Sequence, residues 1–312
     1  MQLVVNPQNI GISWKAFTKF EPPRSIALDG FVVEGPRFRP DGPWANFNHH
    51  AEVSRLETRA TCAQVLLAIR QGLIDAMRGE DGTEGISIYV NDCDEDVCLS
   101  VFLLRYHAMA LGALNPAINR LVFLEDMMDT TGGAYPFPTD QVALSEMLWI
   151  FAPYHSFRVS GQIDERKEAD FRLVIDEVGR RILAHIAGRG GTLPPDVRFD
   201  ALFEGKGWTM VREVGRNARL GVYGAGIKAF VSYRAVDDDR YVYSLGRSSQ
   251  YIRFPIPKIL AALNVQETKQ WRGMLEAMPD DRWGGSDMIA GGPRTGSLLT
   301  PQMVKETINA AL

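Results

Sequence analysis

The chain has 312 residues, of which 46% are hydrophobic and 23% charged, and this composition excludes a disordered, a collagen-like or a disulfide-scaffold protein. The net charge of −4 is unevenly placed: residues 195–312 hold 16 basic and 13 acidic residues, a balance of +3, which leaves −7 on residues 1–194. An acidic first half favours a cation site, and a basic second half favours an anionic ligand.

Cysteine content and the lack of long apolar runs indicate the compartment. Cys62, Cys93 and Cys98 are odd in number and sparse, which argues against a disulfide framework and favours the cytoplasm. The first residues, 1–17, lack a cationic start followed by an apolar core, so we expect no signal peptide there. No apolar run reaches the roughly 18 residues of a membrane span, so we expect no membrane partner.

Short apolar runs alternate with helical patterns along the first 190 residues. In chain order, the periodicity predicts a strand at 24–30, a helix at 57–77, a strand at 85–94, a helix at 95–114, a strand at 120–129, and helices at 139–152 and 165–188. Strands that alternate with helices are typical of an α/β fold with a doubly wound, mostly parallel sheet.

The Gly- and Pro-rich segment 188–195 predicts a boundary between a first domain, residues 1–190, and a second domain, residues 195–312. The pattern beyond it predicts short strands at 207–214, 219–226, 228–236 and 240–247, helices at 255–264 and 267–278, a glycine-rich segment at 283–297, and a last helix opened by Thr300 and Pro301. This half is expected to be a smaller α+β domain.

Three clusters of acidic and imidazole side chains follow predicted strands or lie in adjoining loops. They are Asn48-His49-His50, the run Asp92 to Asp96, and Glu125-Asp126 with Asp129. Ligands of open α/β sheets bind at the carboxyl ends of the strands, so these clusters are expected to converge. Several carboxylates with one or two imidazoles suit hard divalent cations, and two such ions about 3.5–4 Å apart clamp a phosphate and activate a water.

Structural interpretations stand beside the functional ones. Asp94 suits the N-cap of a helix that begins near Glu95. His107 and His185 lie inside helical patterns and are interpreted as structural, whereas the role of His155 stays open. The segment 221–226, GVYGAG, lacks the strand–loop–helix context of a dinucleotide-binding loop.

Several segments together resemble the DHH phosphoesterase superfamily. NFNHH and RATCAQVLLAI resemble its Asp-His-His motif and the following helix, NDCDEDVCLSVFLLR resembles its acidic metal-binding motif, and MMDTTGG resembles its Asp-Thr-Gly-Gly motif. SLGRSS and GGSDMIAGGPRTGS resemble the Ser/Arg strand and the glycine-rich loop of its second, substrate-holding domain. Four features depart from the family: Asn48 stands where it has Asp, Asp92 stands where it usually has His, the His-His motif precedes the acidic motif, and Asp287 or Met288 stands about where its C-terminal loop has a histidine.

The resemblance implies a metal-dependent phosphoesterase that acts on a nucleotide, a short oligonucleotide or another small phosphorylated substrate. It implies one or two Mn²⁺ or Mg²⁺ ions bound by His49, Asp92, Asp94, Asp129 and Asp29, catalytic roles for His50 and Asp94, and substrate binding by Arg247, Ser248, Gly291 and Gly292. Asn48 and Asp92 keep an alternative open, in which a degenerate relative binds a phosphorylated ligand without hydrolysing it. Hydrolysis at a bond other than a phosphoester is a third possibility.

Overall fold

The computed structural model describes residues 1–55, 57–79, 82, 85–112, 115–134, 138, 141–237, 239–271 and 281–312. The chain divides into two compact units. The N-terminal unit comprises Met1–Thr130 and Val142–Pro194, and the C-terminal unit comprises Thr131–Gln141 and Pro195–Leu312. The division between Pro194 and Pro195 lies inside the Gly- and Pro-rich segment, while residues 131–141, within the expected first domain, belong to the C-terminal unit.

The N-terminal unit contains a five-stranded sheet. Its strands are β1 (Gln2–Val5), β2 (Ser25–Leu28), β3 (Arg37–Arg39), β4 (Trp44–Phe47) and β5 (Ser87–Val90), in the order β1-β5-β2-β4-β3. All neighbouring strands are parallel except the edge pair β3 and β4. Every residue of β2 is buried, as expected for a central strand of a parallel sheet. The predicted α/β class with a mostly parallel sheet is confirmed.

Eight α-helices are described in this unit. They are α1 (Trp14–Phe20), α2 (Thr61–Arg70), α3 (Leu73–Ala76), α4 (Glu95–Arg105), α5 (His107–Leu111), α6 (Pro116–Thr130), α7 (Val142–Val159) and α8 (Glu168–Ile186). The helix predicted at 57–77 is split into α2 and α3 at Gly72, whose φ of +98° a residue with a side chain rarely adopts. The helix predicted at 95–114 is likewise divided, into α4 and α5. The first residues of the helix predicted at 139–152 include 139 and 140, which lie outside the described residues.

The strand predicted at 120–129 is wrong, because this segment belongs to helix α6. Ile118, Leu121, Val122 and Glu125 are buried at helical spacing, whereas Phe123 is 52% exposed. A short apolar run fits either period, and here the buried side chains follow the helical one. The correction matters because it places Asp129 in the last turn of a helix.

The C-terminal unit contains a six-stranded sheet with helices packed on it. Its strands are β6 (Phe199–Glu204), β7 (Thr209–Glu213), β8 (Ala229–Ala235), β9 (Tyr241–Arg247), β10 (Gly284–Gly285) and β11 (Ile289–Gly291), in the order β10-β11-β9-β8-β7-β6, and its helices are α9 (Ala218–Gly224), α10 (Ile256–Trp271) and α11 (Pro301–Ala311). Only β7 and β8 pair in parallel. The predicted smaller α+β half is confirmed.

Two predicted elements of this unit need comment. The strand predicted at 219–226 is wrong, because most of it forms α9, where Val222 and Tyr223 pack against Phe230. Glycines interrupt the segment 219–226, so its apolar residues show no clear helical period in the sequence. The helix predicted at 267–278 is described only to Trp271, as the end of α10, and residues 272–280 lie outside the described residues.

None of the helices in the described part of the chain combines the length and the apolar character that a membrane crossing requires.

Candidate metal centre

Three polar segments leave the sheet of the N-terminal unit at the same edge. Strands β5, β2 and β4 are neighbours and run parallel, with Leu28 paired to Phe47 and Ala27 paired to Tyr89. Their carboxyl ends are therefore adjacent, and Asp29, the loop 48–50 and the loop 91–96 begin there.

His49 lies at the middle of this edge and is fully buried. Its Nε2 atom is 2.6 Å from Asp129 Oδ2, 3.5 Å from Asp29 Oδ1 and 3.7 Å from Asp96 Oδ2. Neither ring nitrogen of His49, nor Asp129 Oδ2, has a hydrogen-bond partner with acceptable geometry in the described chain. Donor atoms left this way in a protein interior point to a missing partner, because an unsatisfied buried polar group is costly.

His50 occupies the more open side of the centre, with 41% of its side chain exposed. Its Nε2 lies 3.0 Å from Asp29 Oδ1, and its Nδ1 lies 2.6 Å from Arg55 Nη2. A guanidinium has only donors, so Nδ1 accepts from Arg55 and the neutral ring carries its proton on Nε2, facing Asp29. Burial by itself lowers the pKa of His50, but the hydrogen bond and charge of Asp29 outweigh it, so the pKa is raised.

Asp29 is held in place by contacts on its Oδ1 atom. Besides His50, the hydroxyl of Thr61 donates to this oxygen at 2.9 Å. Burial alone would raise the pKa of Asp29. The hydrogen bond from His50 and the positive charges of the two histidines together lower it by more, so the net pKa is lowered and the carboxyl is ionised over a wider pH range. The residue has a φ of +45°, an uncommon backbone conformation outside glycine that is found at functional sites.

Asp96 joins the centre to the N-terminus of helix α2. Its carboxylate accepts the backbone N–H groups of Thr61 at 2.7 Å and Cys62 at 2.6 Å, the first two residues of the helix. Asp126 supports the preceding residues, since it accepts from Ala60 N at 2.7 Å and from Arg59 Nη1 at 2.9 Å. Anionic groups are favourable at a helix N-terminus, where N–H groups lack partners within the helix.

Asp94 and Asp92 lie close to the centre but outside its tightest donor sets. Asp94 is the N-cap of α4, where its Oδ1 accepts from Val97 N at 2.9 Å, so the structural interpretation of Asp94 is confirmed. Asp92 Oδ1 accepts from Cys93 N at 2.7 Å. Burial, followed by the charges of neighbouring carboxylates, raises the pKa of both aspartates.

The whole cluster carries an excess of negative charge. Burial and then the charges of Asp29 and Asp129 raise the pKa of Asp96 well above its usual value. Burial and the charges of Glu95 and Asp129 do the same for Glu125, one helical turn before Asp129 on α6. Repulsion between crowded carboxylates keeps some of them protonated when no cation is bound. A cation can replace these protons, so the crowding favours cation binding.

Two sets of side chains place their donor atoms within 4.8 Å of one another, and both contain His49. One consists of Asp29, His49 and His50, and the other of His49, Asp96 and Asp129. Buried Asp and His groups of this kind can hold a metal ion. The donors are carboxylate oxygens and imidazole nitrogens, and neither set contains a thiolate. Of the residues assigned to the metal by resemblance, the structure brings together Asp29, His49 and Asp129.

Asn48 has a structural task at the same place. Its Nδ2 donates to the carbonyl oxygens of Val32 at 3.1 Å and Glu34 at 3.0 Å, and its Oδ1 accepts from His50 N at 2.9 Å. The amide thus ties the histidine loop to the segment after β2. An aspartate could not make the two donated bonds.

The substrate residues expected from the resemblance lie in the C-terminal unit. Arg247 is nearly buried, and its guanidinium donates to the backbone and side chain of Asp287 at 2.6 and 2.9 Å. Ser248 N donates to Lys228 O, Gly291 belongs to β11, and Gly292 N donates to Tyr243 O. These contacts account for the fold around the four residues, and their part in binding a substrate stays a prediction.

His107 and His155 have local partners, and the three cysteines are buried. His107 contacts Leu104 O through Nδ1 at 3.2 Å, and His155, whose role the sequence left open, lies 2.7 Å from Glu95. Cys62, Cys93 and Cys98 are free and buried. Burial raises the pKa of each thiol, which disfavours a nucleophilic thiolate.

Two contributors to the centre were missed by sequence reasoning. Asp96 was seen in the acidic run but received no role, although the Asp-x-Asp spacing after an N-cap was a signal: with Asp94 at the N-cap, Asp96 falls in the first helical turn. Arg55 gave no signal, because its contact with His50 depends on the path of an irregular loop.

In comparisons with known proteins, no family model matches this sequence and no curated protein matches it.

Proposed function

We propose that the N-terminal unit binds divalent cations, Mn²⁺ or Mg²⁺, and that the protein hydrolyses phosphoesters of small substrates with their help, as its resemblance to the DHH phosphoesterase superfamily implies. The observation that carries the proposal is His49: a fully buried imidazole, close to three carboxylates, with neither nitrogen hydrogen-bonded within the described residues.

Such ions, when bound, neutralise the charge of the phosphate and make a water more acidic. Asp29, Asp96, Asp129 and His49 are the residues that would hold them. The N–H groups at the start of α2 hold Asp96 in position, so this carboxylate would need little rearrangement to bind a cation.

His50 is proposed to hold the proton that the leaving oxygen needs. Its ring is the exposed one of the histidine pair, and its raised pKa increases the protonated fraction, in which Nδ1 carries the transferable proton and the contact with Arg55 is broken. Asp29 orients this ring through the 3.0 Å contact with Nε2, and Arg55 adds a positive charge beside it that favours an anionic substrate.

Metal analysis and hydrolysis test the proposal together. We expect the purified protein to bind Mn²⁺ and to cleave p-nitrophenyl phosphate or bis(p-nitrophenyl) phosphate, and His49→Ala to lose both properties. Asp75→Asn is a control that changes one exposed aspartate on α3. A protein that binds neither Mn²⁺ nor Mg²⁺ and turns over neither ester would remove the proposal.

Binding without hydrolysis is the second candidate, and Asn48 is the observation that favours it. Its amide occupies the place of the family's aspartate and spends both donated bonds on carbonyl groups of the fold. Under this alternative, Mn²⁺ binds and a nucleotide is retained unchanged over hours. Turnover that His49→Ala abolishes would exclude it.

A further inference from the structure

The C-terminal unit has a groove of about 510 Å³ on its basic side. Lys206, in the turn between β6 and β7, forms one wall, and the loop from Gln250 to Pro255 forms another. Lys258 in the first turn of α10 and the end of α11 complete the lining. All of these residues belong to the C-terminal unit, whereas the residues of the metal centre belong to the N-terminal unit.

Positive charge is the main property of this groove. Lys206, Arg253 and Lys258 are exposed, and within the described residues none of them forms an ion pair. A fourth cation, Arg247, is paired with Asp287. Among the residues that the structure describes, no Asp or Glu side chain belongs to the groove lining. Three unpaired cations around one concave surface raise the local potential and favour an anion.

The start of helix α10 adds to this field. Phe254, Pro255 and Lys258 border the groove, so the N-terminal end of a sixteen-residue helix lies against it. The positive end of a helix dipole favours phosphate, and here it reinforces the side-chain cations.

An aromatic ring stands beside the cations. Tyr251 is 77% exposed, which is unusual for a large aromatic side chain. Arg247 supports the loop that contains Tyr251: its Nη1 donates to Gln250 O at 3.3 Å and to Ile252 O at 3.1 Å. The ring is thus presented by an ordered loop and offers a stacking surface next to a phosphate-sized positive site.

We propose that this groove binds a phosphate-bearing ligand with a planar ring, a nucleotide being the simplest: Lys206, Arg253 and Lys258 contact the phosphate, and Tyr251 stacks on the ring. Its lining residues differ from those of the metal centre and, apart from Arg247, which supports the loop, from those that the family resemblance implies for the substrate. Ligand binding in this groove does not depend on the proposed hydrolytic activity.

Calorimetric titration of the metal-free full chain with AMP tests the assignment, and ribose 5-phosphate and adenosine separate the two halves of the ligand. We expect AMP to bind more tightly than either fragment and to weaken as salt is raised. Arg253→Ala and Lys258→Ala should each weaken AMP binding by about tenfold, the usual effect of losing one charge-assisted contact. Lys269→Ala removes a lysine from the last turn of the same helix and should change nothing.

Tyr251→Ala separates stacking from charge. It should weaken AMP binding by about tenfold and leave ribose 5-phosphate binding unchanged. The four variants change exposed side chains, and their melting temperatures should match that of the native protein. Absence of AMP binding at about 1 mM, or binding that Arg253→Ala and Lys258→Ala leave intact, would overturn the proposal, whatever the phosphoesterase assays give.

Discussion

His49 Nε2 lies 2.6 Å from Asp129 Oδ2, a contact that joins the loop after β4 to the last turn of α6. Both atoms are buried, and neither forms a hydrogen bond of acceptable geometry within the described residues. Without a further partner, desolvation of these two polar groups costs free energy on folding, and their proximity offsets little of that cost. A shared cation would resolve this cost, and it makes the stability of the protein depend on metal in a testable way.

Asp129→Asn should separate stability from metal binding. The charge of Asp129 is among those that raise the pKa values of Asp94, Asp96 and Glu125, so its removal relieves repulsion in the metal-free protein. We expect the metal-free variant to unfold with a free energy equal to or about 1 kcal/mol above that of the native protein. Its Mn²⁺ affinity should fall on the order of 10–100-fold.

Urea denaturation with and without Mn²⁺ measures both effects. Asp75→Asn, which removes an exposed aspartate of α3, should leave the Mn²⁺ dependence unaltered. If Asp129→Asn destabilises the metal-free protein and is stabilised by Mn²⁺ as strongly as the native chain, the cation does not sit between His49 and Asp129.

The metal-free protein should be more stable at mildly acidic than at mildly alkaline pH. Burial first, then neighbouring negative charges, raise the pKa values of Asp94, Asp96 and Glu125 well above their usual values. From about pH 4, where these carboxyls ionise in the unfolded chain, up to their folded pKa values, the folded state binds more protons, so the free energy of unfolding falls as pH rises. The raised pKa of His50 acts in the same direction, whereas the lowered pKa of Asp29 affects stability only at more acidic pH, below its ordinary value.

Melting temperatures at about pH 5.5 and pH 7.5 check this slope. Saturating Mn²⁺ should flatten it, because the cation then neutralises the carboxylates at the higher pH, and Mn²⁺ affinity should decline on acidification as protons compete. Glu125→Gln should reduce the slope in the metal-free protein, and Glu57→Gln, outside the cluster, should preserve it. A metal-free protein that gains stability between these pH values would contradict the charge crowding.

The alternation of strand and helix was enough to predict the site edge, because parallel strands necessarily gather their carboxyl ends. His49 was placed at this edge in this way, Asp29 was assigned by the family resemblance, and Asp94 was correctly seen as an N-cap. Asp129 was assigned to the centre by motif although its segment was predicted as a strand. The wrong strand prediction did not remove Asp129 from the centre, because the last turn of α6 brings its side chain close to His49.

Some features depend on contacts that no local pattern encodes. The capping of α2 by Asp96 and Asp126 requires three elements to meet, and the sequence around Ala60 contains no side-chain cap. Arg247 was assigned to the substrate by the family resemblance, but its guanidinium is engaged by Asp287. Only the folded path of the chain reveals which charged groups already have partners.

Asn48→Asp, which introduces the residue that the Asp-His-His motif has at this position, should destabilise the protein. The substitution places a carboxylate oxygen against the carbonyl groups of Val32 and Glu34, where the amide donates at 3.1 and 3.0 Å. We expect a loss of about 2–4 kcal/mol in the free energy of unfolding. Asn119→Asp is the matched control, because the oxygen of Asn119 accepts from Arg70 and a carboxylate preserves that bond. If Asn48→Asp is as stable as the native chain, the amide does not anchor the histidine loop.

Arg247→Ala should act on the fold of the C-terminal unit before it acts on any ligand. The guanidinium makes four hydrogen bonds, two to Asp287 and one each to the carbonyls of Gln250 and Ile252, and it is nearly buried. Its removal leaves these acceptors unpaired, and we expect a loss of about 2–4 kcal/mol in the free energy of unfolding. Arg247→Lys should recover little of this, because one ammonium cannot reach three separate backbone carbonyls and a carboxylate.

Tryptophan fluorescence during urea denaturation reports this loss, since Trp208 and Trp283 lie in the core of the C-terminal unit. Arg294→Ala serves as a control at another arginine of the same unit. AMP binding by Arg247→Ala should weaken together with stability, because the loop that presents Tyr251 loses its support. A variant with native stability and a selective loss of phosphate binding would instead assign Arg247 to the ligand, as the family resemblance implies, and would refute its structural role.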